Sequence, residues 1–359
     1  VSLELGSGNY NGIADILRAK HPNTLEIEVT LFENCDVVCT FCGHEKNDTF
    51  GMSIDEMLNK LTPIEEYLKS ANKDVLYSNV HMLGGELFQD RLMTGEEDCF
   101  LNHYWIWLEK YKEICEKNGL TPRAVFVTNN LTKKPEIVKN FLDRVRKELM
   151  LCDLIVSYDM AGRPITRQYR YNMGYFSEYI SNLNMVATSD TIKAIMNRKD
   201  PYFETLYCQF PIYIDDFLPD PESEHLIPSD ELLLEFMHFC KENYSKIMPY
   251  SYSVEVMLKN TGEMVEVSGS TLNKMTILPN GRMTNYAWER HLPEYFNRPF
   301  ILEDNTNMLY DFTIEHNCLC CEHFSYCHMR CPVQWSWTNR ERSEGCVNQR
   351  FYDEIKAKS

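Results

Sequence analysis

The sequence predicts an α/β protein: a partial, TIM-like barrel of six parallel strand–helix units, followed by a smaller cysteine-rich extension. Three observations predict it. Strand-like and helix-like stretches alternate from residue 25 to residue 243, the pattern of a parallel sheet joined by crossover helices. Six such units fall short of the eight that close a barrel. Beyond residue 247 the alternation stops and cysteines crowd the tail. The expected divisions are an N-terminal extension (1–24), the barrel (25–247) and the extension (248–359).

The elements follow in order. In Leu25 to Leu31, apolar Ile27, Val29 and Leu31 alternate with polar residues, as in a strand with one buried face. Ser53 is placed to cap a helix, with Glu56 three positions on completing a capping box. Met57, Leu61, Ile64 and Leu68 then recur at helical spacing. Further strands are expected at 75–83, 124–128, 154–158, 183–187 and 210–214, and helices at 105–117, 135–149, 191–196 and 231–243. Residues 252–267 read as a hairpin about Asn260 to Gly262, and Pro279-Asn280-Gly281 marks another turn.

A hydrophobic content of 44% and an aromatic content of 12% are enough for a real core. No apolar run approaches the about 18 residues that a membrane span needs. Val1 to Tyr10 lacks the basic flank and apolar stretch of a signal peptide, so a cytoplasmic protein is expected. A formal charge of −17 disfavours sequence-independent nucleic-acid binding. Arg163, Arg167 and Arg170 could still hold one anionic group.

Of 14 cysteines, three fall between 35 and 42 and six between 318 and 346. Such clustering in a chain without an export signal points to metal rather than to disulfides. Cys35, Cys39 and Cys42 form C-x3-C-x2-C just after the first strand. Three thiolates on a short loop can hold three irons of a 4Fe–4S cluster and leave the fourth without a protein ligand. A zinc site is the alternative, with His44 as its fourth ligand. Gly84-Gly85-Glu86 closes the second strand, Thr128-Asn129-Asn130 the third, and Ser157-Tyr158-Asp159 the fourth. In such barrels the strand C-termini carry the chemistry.

Together these motifs resemble the radical S-adenosylmethionine (SAM) superfamily. The resemblance implies that Cys35, Cys39 and Cys42 hold the SAM-binding 4Fe–4S cluster. It implies that Gly84, Gly85, Glu86, Asn129, Ser157 and Arg170 bind SAM, with Arg167 a competitor for Arg170. Tyr158 and Asp159 become candidate catalytic residues at the end of strand four. Two departures stand out: Asn130 replaces a usual glycine after Thr-Asn, and Met160 replaces the glycine of Ser-x-Asp-Gly.

The tail, Cys318-x2-Cys321-x5-Cys327-x3-Cys331 with Cys346 further on, resembles the SPASM extension of radical SAM enzymes. That implies an auxiliary 4Fe–4S cluster on Cys318, Cys321, Cys327 and Cys346. The upstream cysteines of a second auxiliary cluster are missing, and Tyr286 stands where one belongs. Cys320 and Cys331 are then spare thiols. Zinc in a four-thiolate cap is again the alternative. His316, His323 and His328 read as supporting or surface residues, and Trp335 and Trp337 as packing.

Cys208 reads as structural, and Cys99, Cys115, Cys152 and Cys240 as apolar filler in helices or loops. Asp215 and Asp216 follow the sixth strand, as substrate contacts or as a solvated loop. The resemblance implies reductive cleavage of SAM and hydrogen abstraction from a substrate C–H bond, with a flavodoxin or ferredoxin-type electron donor. A peptide or protein substrate is expected; a small metabolite such as a sugar or nucleoside is the alternative. A non-catalytic metal-bound binding protein is the rival from another class.

Overall fold

The computed structural model describes residues 24–42, 48–70, 76–93, 100–159, 161–215, 217, 223–244, 247–248, 250–259, 274–284, 318–324, 326–327 and 346–358. The predicted turn at Asn260 to Gly262, and His44, Cys99, Met160, Asp216, Tyr286, His316, His328, Cys331, Trp335 and Trp337, lie outside them.

The strands β1 (Thr24–Thr30), β2 (Tyr77–Leu83), β3 (Thr121–Thr128), β4 (Leu151–Ser157), β5 (Ile180–Val186) and β6 (Ile212–Asp215) lie side by side in chain order, all parallel. Helices α1 (Ile54–Asn59), α2 (Leu61–Ser70), α3 (Phe100–Lys117), α4 (Pro135–Glu148), α5 (Arg167–Tyr175), α6 (Ser189–Met196), α7 (Pro201–Gln209) and α8 (Asp230–Asn243) connect or follow them. Two additions flank the six. A short β7 (Ile247–Met248) pairs with β6, and β8 (Lys274–Ile277) pairs parallel to β1, with β9 (Met283–Thr284) antiparallel to β8. Among the described residues the result is one open nine-stranded sheet.

Period-two alternation sets its two faces. Leu25, Ile27, Val29, Val80, Met82, Ala124, Phe126, Leu154, Val156, Leu183 and Met185 are buried against the helices. Trp107 on α3 is fully buried there and donates its indole N–H to the Met57 carbonyl at 3.0 Å, tying α3 to α1. Burying a side chain of that kind stabilises the fold by about 1.5–3 kcal/mol. Ser53 caps α1 with the full reciprocal capping box to Glu56, as the sequence predicts.

Residues 250–259 form a helix, α9 (Tyr250–Lys259), where the sequence predicts the first arm of a hairpin. Val254 and Val256 mimic strand alternation, but Tyr250 and Val254 are buried at i, i+4 spacing and so face the core together. The turn at Pro279 to Gly281 forms between β8 and β9, where Gly281 takes a positive φ of 77°. Cys152 sits on β4 rather than in a helix or loop, although it is buried filler like Cys115 and Cys240. Cys208, expected to be structural, is exposed on α7.

Candidate functional site

The parallel sheet brings the C-terminal ends of β1 to β4 to one edge, and the sequence motifs meet there. Beyond β1 the chain runs on beside the end of β2. Gly85 donates its N–H to the Phe32 carbonyl at 2.9 Å, and Glu86 to the Asn34 carbonyl at 3.1 Å. A Cβ on Gly85 would lie 2.1 Å from the Glu33 oxygen, an impossible contact with backbone. The glycine is therefore required by the segment leading into the cysteine loop. Gly84 is less constrained, since its Cβ would meet side-chain atoms of Leu87 and Phe32 at 3.1 Å.

The loop itself is gripped from a second side. Thr40 donates its N–H to the Gly162 carbonyl at 3.2 Å, and a Cβ on Gly162 would fall 2.4 Å from the Phe41 ring. Asp159 shapes the turn that carries Gly162. Its Oδ1 accepts from the Ala161 and Gly162 N–H groups at 2.9 and 3.0 Å, and from the Thr191 hydroxyl at 2.8 Å. Cys39 is buried, while Cys35 and Cys42 are half-buried. Burial pushes the Cys35 thiol up to about 11, against one backbone N–H from Val37 that lowers it. Metal binding here must displace thiol protons.

Glu86 is buried between the ends of β2 and β3. Its Oε1 accepts from the Phe88 N–H at 2.9 Å and the Thr128 hydroxyl at 2.8 Å, and its Oε2 from the Asn129 N–H at 2.6 Å. Burial raises its carboxyl and these donors oppose that rise. Asn130 adopts φ 62°. Asn suits that backbone, because it tolerates the left-handed region better than most residues.

The two catalytic candidates are placed otherwise than strand four suggests. Tyr158 is buried, with its ring centroid 6.0 Å from that of Tyr169 and 6.1 Å from that of Phe203, and its hydroxyl donates to Asp200. It belongs to the helix-facing core. Alternation along β4 sends Leu154, Val156 and then Tyr158 to that side, leaving half-buried Ser157 on the other. Asp159 positions the turn through Oδ1; its buried Oδ2 has no hydrogen-bond partner among the described residues, although the nearby Arg163 charge acts on this carboxyl. Arg170 is exposed, with its guanidinium 4.7 Å from the centre of the Tyr202 ring.

The face of the sheet turned away from the helices is polar at both sides. On β1 and β2, Glu26 accepts from Asn79 and pairs with His81, both at 2.9 Å. On β5 and β6, Asn182 donates to Asn184 at 2.7 Å and Asn184 to Asp215 at 3.0 Å. Val125, Val127 and Ile155 line the middle.

In the tail, Cys318 lies in a single helical turn (Cys318–Cys320), and Cys346 immediately precedes helix α10 (Val347–Lys358). Burial first, then the neighbouring Cys346, Cys327 and Cys321 thiols, push Cys318 up to about 12, so the four sulfurs share one neighbourhood. Asn348 donates its side-chain N–H to the Cys327 sulfur at 3.6 Å. His323 is buried; it bonds Tyr326 through Nδ1 and Asp353 of α10 through Nε2 at 2.7 Å. It is a supporting residue, not a surface one. Cys320 is exposed. Among the described residues, the ligand atoms of Glu322, His323 and Asp353 form the group of three lying within 4.8 Å of one another.

Sequence reasoning missed Gly162, Asn348 and Asp353. For the last two, the signal was the spacing of Val347, Phe351 and Ile355, which marks a buried helix face just after Cys346.

The architecture defines a class: an open, mostly parallel α/β sheet of the partial-barrel type. Within that class the chain is similar to solved structures of anSMEcpe with bound AdoMet, in hexahistidine-tagged and native form. TM-scores are 0.59 and 0.57 at 15% identity, covering 93% of this chain and 96% of that one. No family model matches the chain, and no curated protein matches it by sequence.

Proposed function

We propose that the chain is a radical SAM enzyme. The observation that carries this is the convergence of Cys35, Cys39 and Cys42 with Glu86, Asn129 and Ser157 at one edge of a sheet whose fold is shared with an AdoMet-bound protein. The residues fit the cofactors. Three thiols on one clamped loop leave one iron of a 4Fe–4S cluster for SAM, and buried Asp159 Oδ2 is an acceptor in need of a donor. Cys318, Cys321, Cys327 and Cys346 would hold an auxiliary 4Fe–4S cluster with no iron left open. When bound, cluster and SAM supply a 5′-deoxyadenosyl radical that takes hydrogen from a substrate C–H bond, fed by a flavodoxin or ferredoxin-type donor.

The chain's own residues do the positioning. Gly85 and Gly162 fix the cysteine loop from two sides, and Glu86 locks the ends of β2 and β3 together by accepting three hydrogen bonds. Asn129 and Ser157 stand at the strand ends beside it, within reach of SAM polar groups in this reading. A substrate lies along the polar face, where Glu26, Asn184 and Asp215 accept or relay hydrogen bonds. A peptide or protein side chain is the favoured substrate. The ladder of Asn182, Asn184 and Asp215 also suits a small polyol-like metabolite, whose hydroxyls it would bind. Of the described helices, none is long and apolar enough to cross a membrane.

Anaerobic incubation of reconstituted protein with SAM and a reductant tests the reading. It should release 5′-deoxyadenosine and methionine even without substrate. Fully loaded protein that leaves SAM intact would overturn it.

A further inference from the structure

We infer that Asn348 is a positioning residue for the tail cluster, whose N–H···S hydrogen bond to Cys327 raises that cluster's reduction potential. The inference rests on the proposal that the four tail thiols hold a 4Fe–4S cluster.

Asn348 is only 2% exposed, and its Nδ2 lies 3.6 Å from the Cys327 sulfur. It is the second residue of α10, whose start is fixed by Cys346: the Arg350 N–H closes the first turn on the Cys346 carbonyl at 3.0 Å. The body of the helix is fixed as well. Phe351, Tyr352 and Ile355 are buried, and Asp353 is held by His323, which sits between Cys321 and Cys327 in the chain. The donor is thus carried on a helix that begins at Cys346 and whose Asp353 and Lys356 bond His323 and Glu322 of the cysteine segment. It has no freedom to turn away.

The physics gives a sign. One-electron reduction adds negative charge that spreads onto the thiolate sulfurs. An N–H aimed at a sulfur stabilises the electron-rich form more than the oxidised form, so it raises the potential. The effect is strengthened in a dry site, where local dipoles are poorly screened. The first N–H groups of α10, at the positive end of the helix, act in the same direction. A buried amide with no cluster to serve would be an expensive choice, because Leu of similar volume would pack without a hydrogen-bonding requirement. At the front loop the donor is of another kind: the Cys35 sulfur accepts from the backbone N–H of Val37, which no side-chain substitution removes.

The experiment is a potentiometric titration of the full-length, reconstituted protein followed by electron paramagnetic resonance, with dithionite supplying the electron. SAM perturbs the front cluster's signal and so assigns the other couple to the tail. Asn348→Leu should lower the midpoint of the SAM-insensitive couple, and Asn348→Asp should lower it further. Asn348→Ser, which keeps a donor, should restore part of the shift. Iron content and the front couple should stay as in the wild type.

About eight irons with an unmoved tail couple in Asn348→Leu would overturn the inference alone. Wild-type protein with about four irons and one zinc would overturn both the inference and the tail-cluster reading. Should the Leu variant lose its iron, wild-type protein carrying ¹⁵N-asparagine decides. The reduced tail cluster should then show coupling to that nitrogen, and its absence would refute the assignment.

Discussion

The two cysteine groups of this chain solve opposite problems. The front group places three thiols on a loop that two glycines clamp between β2 and the turn after β4. The tail group spreads four over a helical turn (Cys318), the loop after it (Cys321 and Cys327) and the start of α10 (Cys346), braced by a buried histidine. The front loop draws its rigidity from a large sheet, and on the proposed reading it would need no fourth thiolate. The tail group has no described strand beneath it, and on that reading it would use all four thiols to fold around its metal. An open iron would then call for a stiff scaffold, and a closed one would help to supply it.

The widest split between them should come from removing each set of thiols. Replacing Cys35, Cys39 and Cys42 by Ala should abolish 5′-deoxyadenosine formation and leave about four of about eight irons. Replacing the four tail cysteines should leave SAM cleavage detectable. Equal loss in both would break the division of labour.

Gly85→Ala should come next. With backbone oxygen 2.1 Å from the added methyl, the strand end must shift, at a cost of about 3 kcal/mol. Thermal denaturation should show it, with front-cluster occupancy falling and tail iron retained. In the tail, His323→Ala should cost about 2 kcal/mol by cavity and lost hydrogen bonds. Its iron loss should be confined to the SAM-insensitive signal.

The smallest effect should come from Tyr158→Phe. Losing its hydrogen bond to Asp200 should cost about 1 kcal/mol in unfolding experiments. SAM cleavage should be unchanged; a large fall would return Tyr158 to the chemistry.

Most of the sheet was legible because period-two and helical patterns do not overlap in long elements. β1, α4 and α8 fall within a residue or two of expectation. Helix α9 was not legible, since Val254 and Val256 carry strand-like spacing in a segment with aromatic residues before them. At the site, the motifs located the right edge but not each residue's task. Side-chain direction at Tyr158 depends on which face of β4 meets the helices. The tasks of Gly85 and Gly162 depend on chain segments remote in sequence, and no local pattern reports those.

The parallel pairing of β8 with β1 has a consequence for how the chain can be cut. Thr276 of β8 donates its hydroxyl to Glu28 of β1 across 248 residues of sequence. β1 therefore becomes an interior strand only after most of the chain has been synthesised. A fragment ending near residue 247 would expose the β1 edge beside the cysteine loop, with Ile27 and Val29 in a strand open to a second copy. Such a fragment should aggregate during expression, and contacts this distant should make productive folding slow. Attempts to isolate the barrel for crystallography would do better to carry residues to at least Thr284, so that β8 and β9 seal that margin.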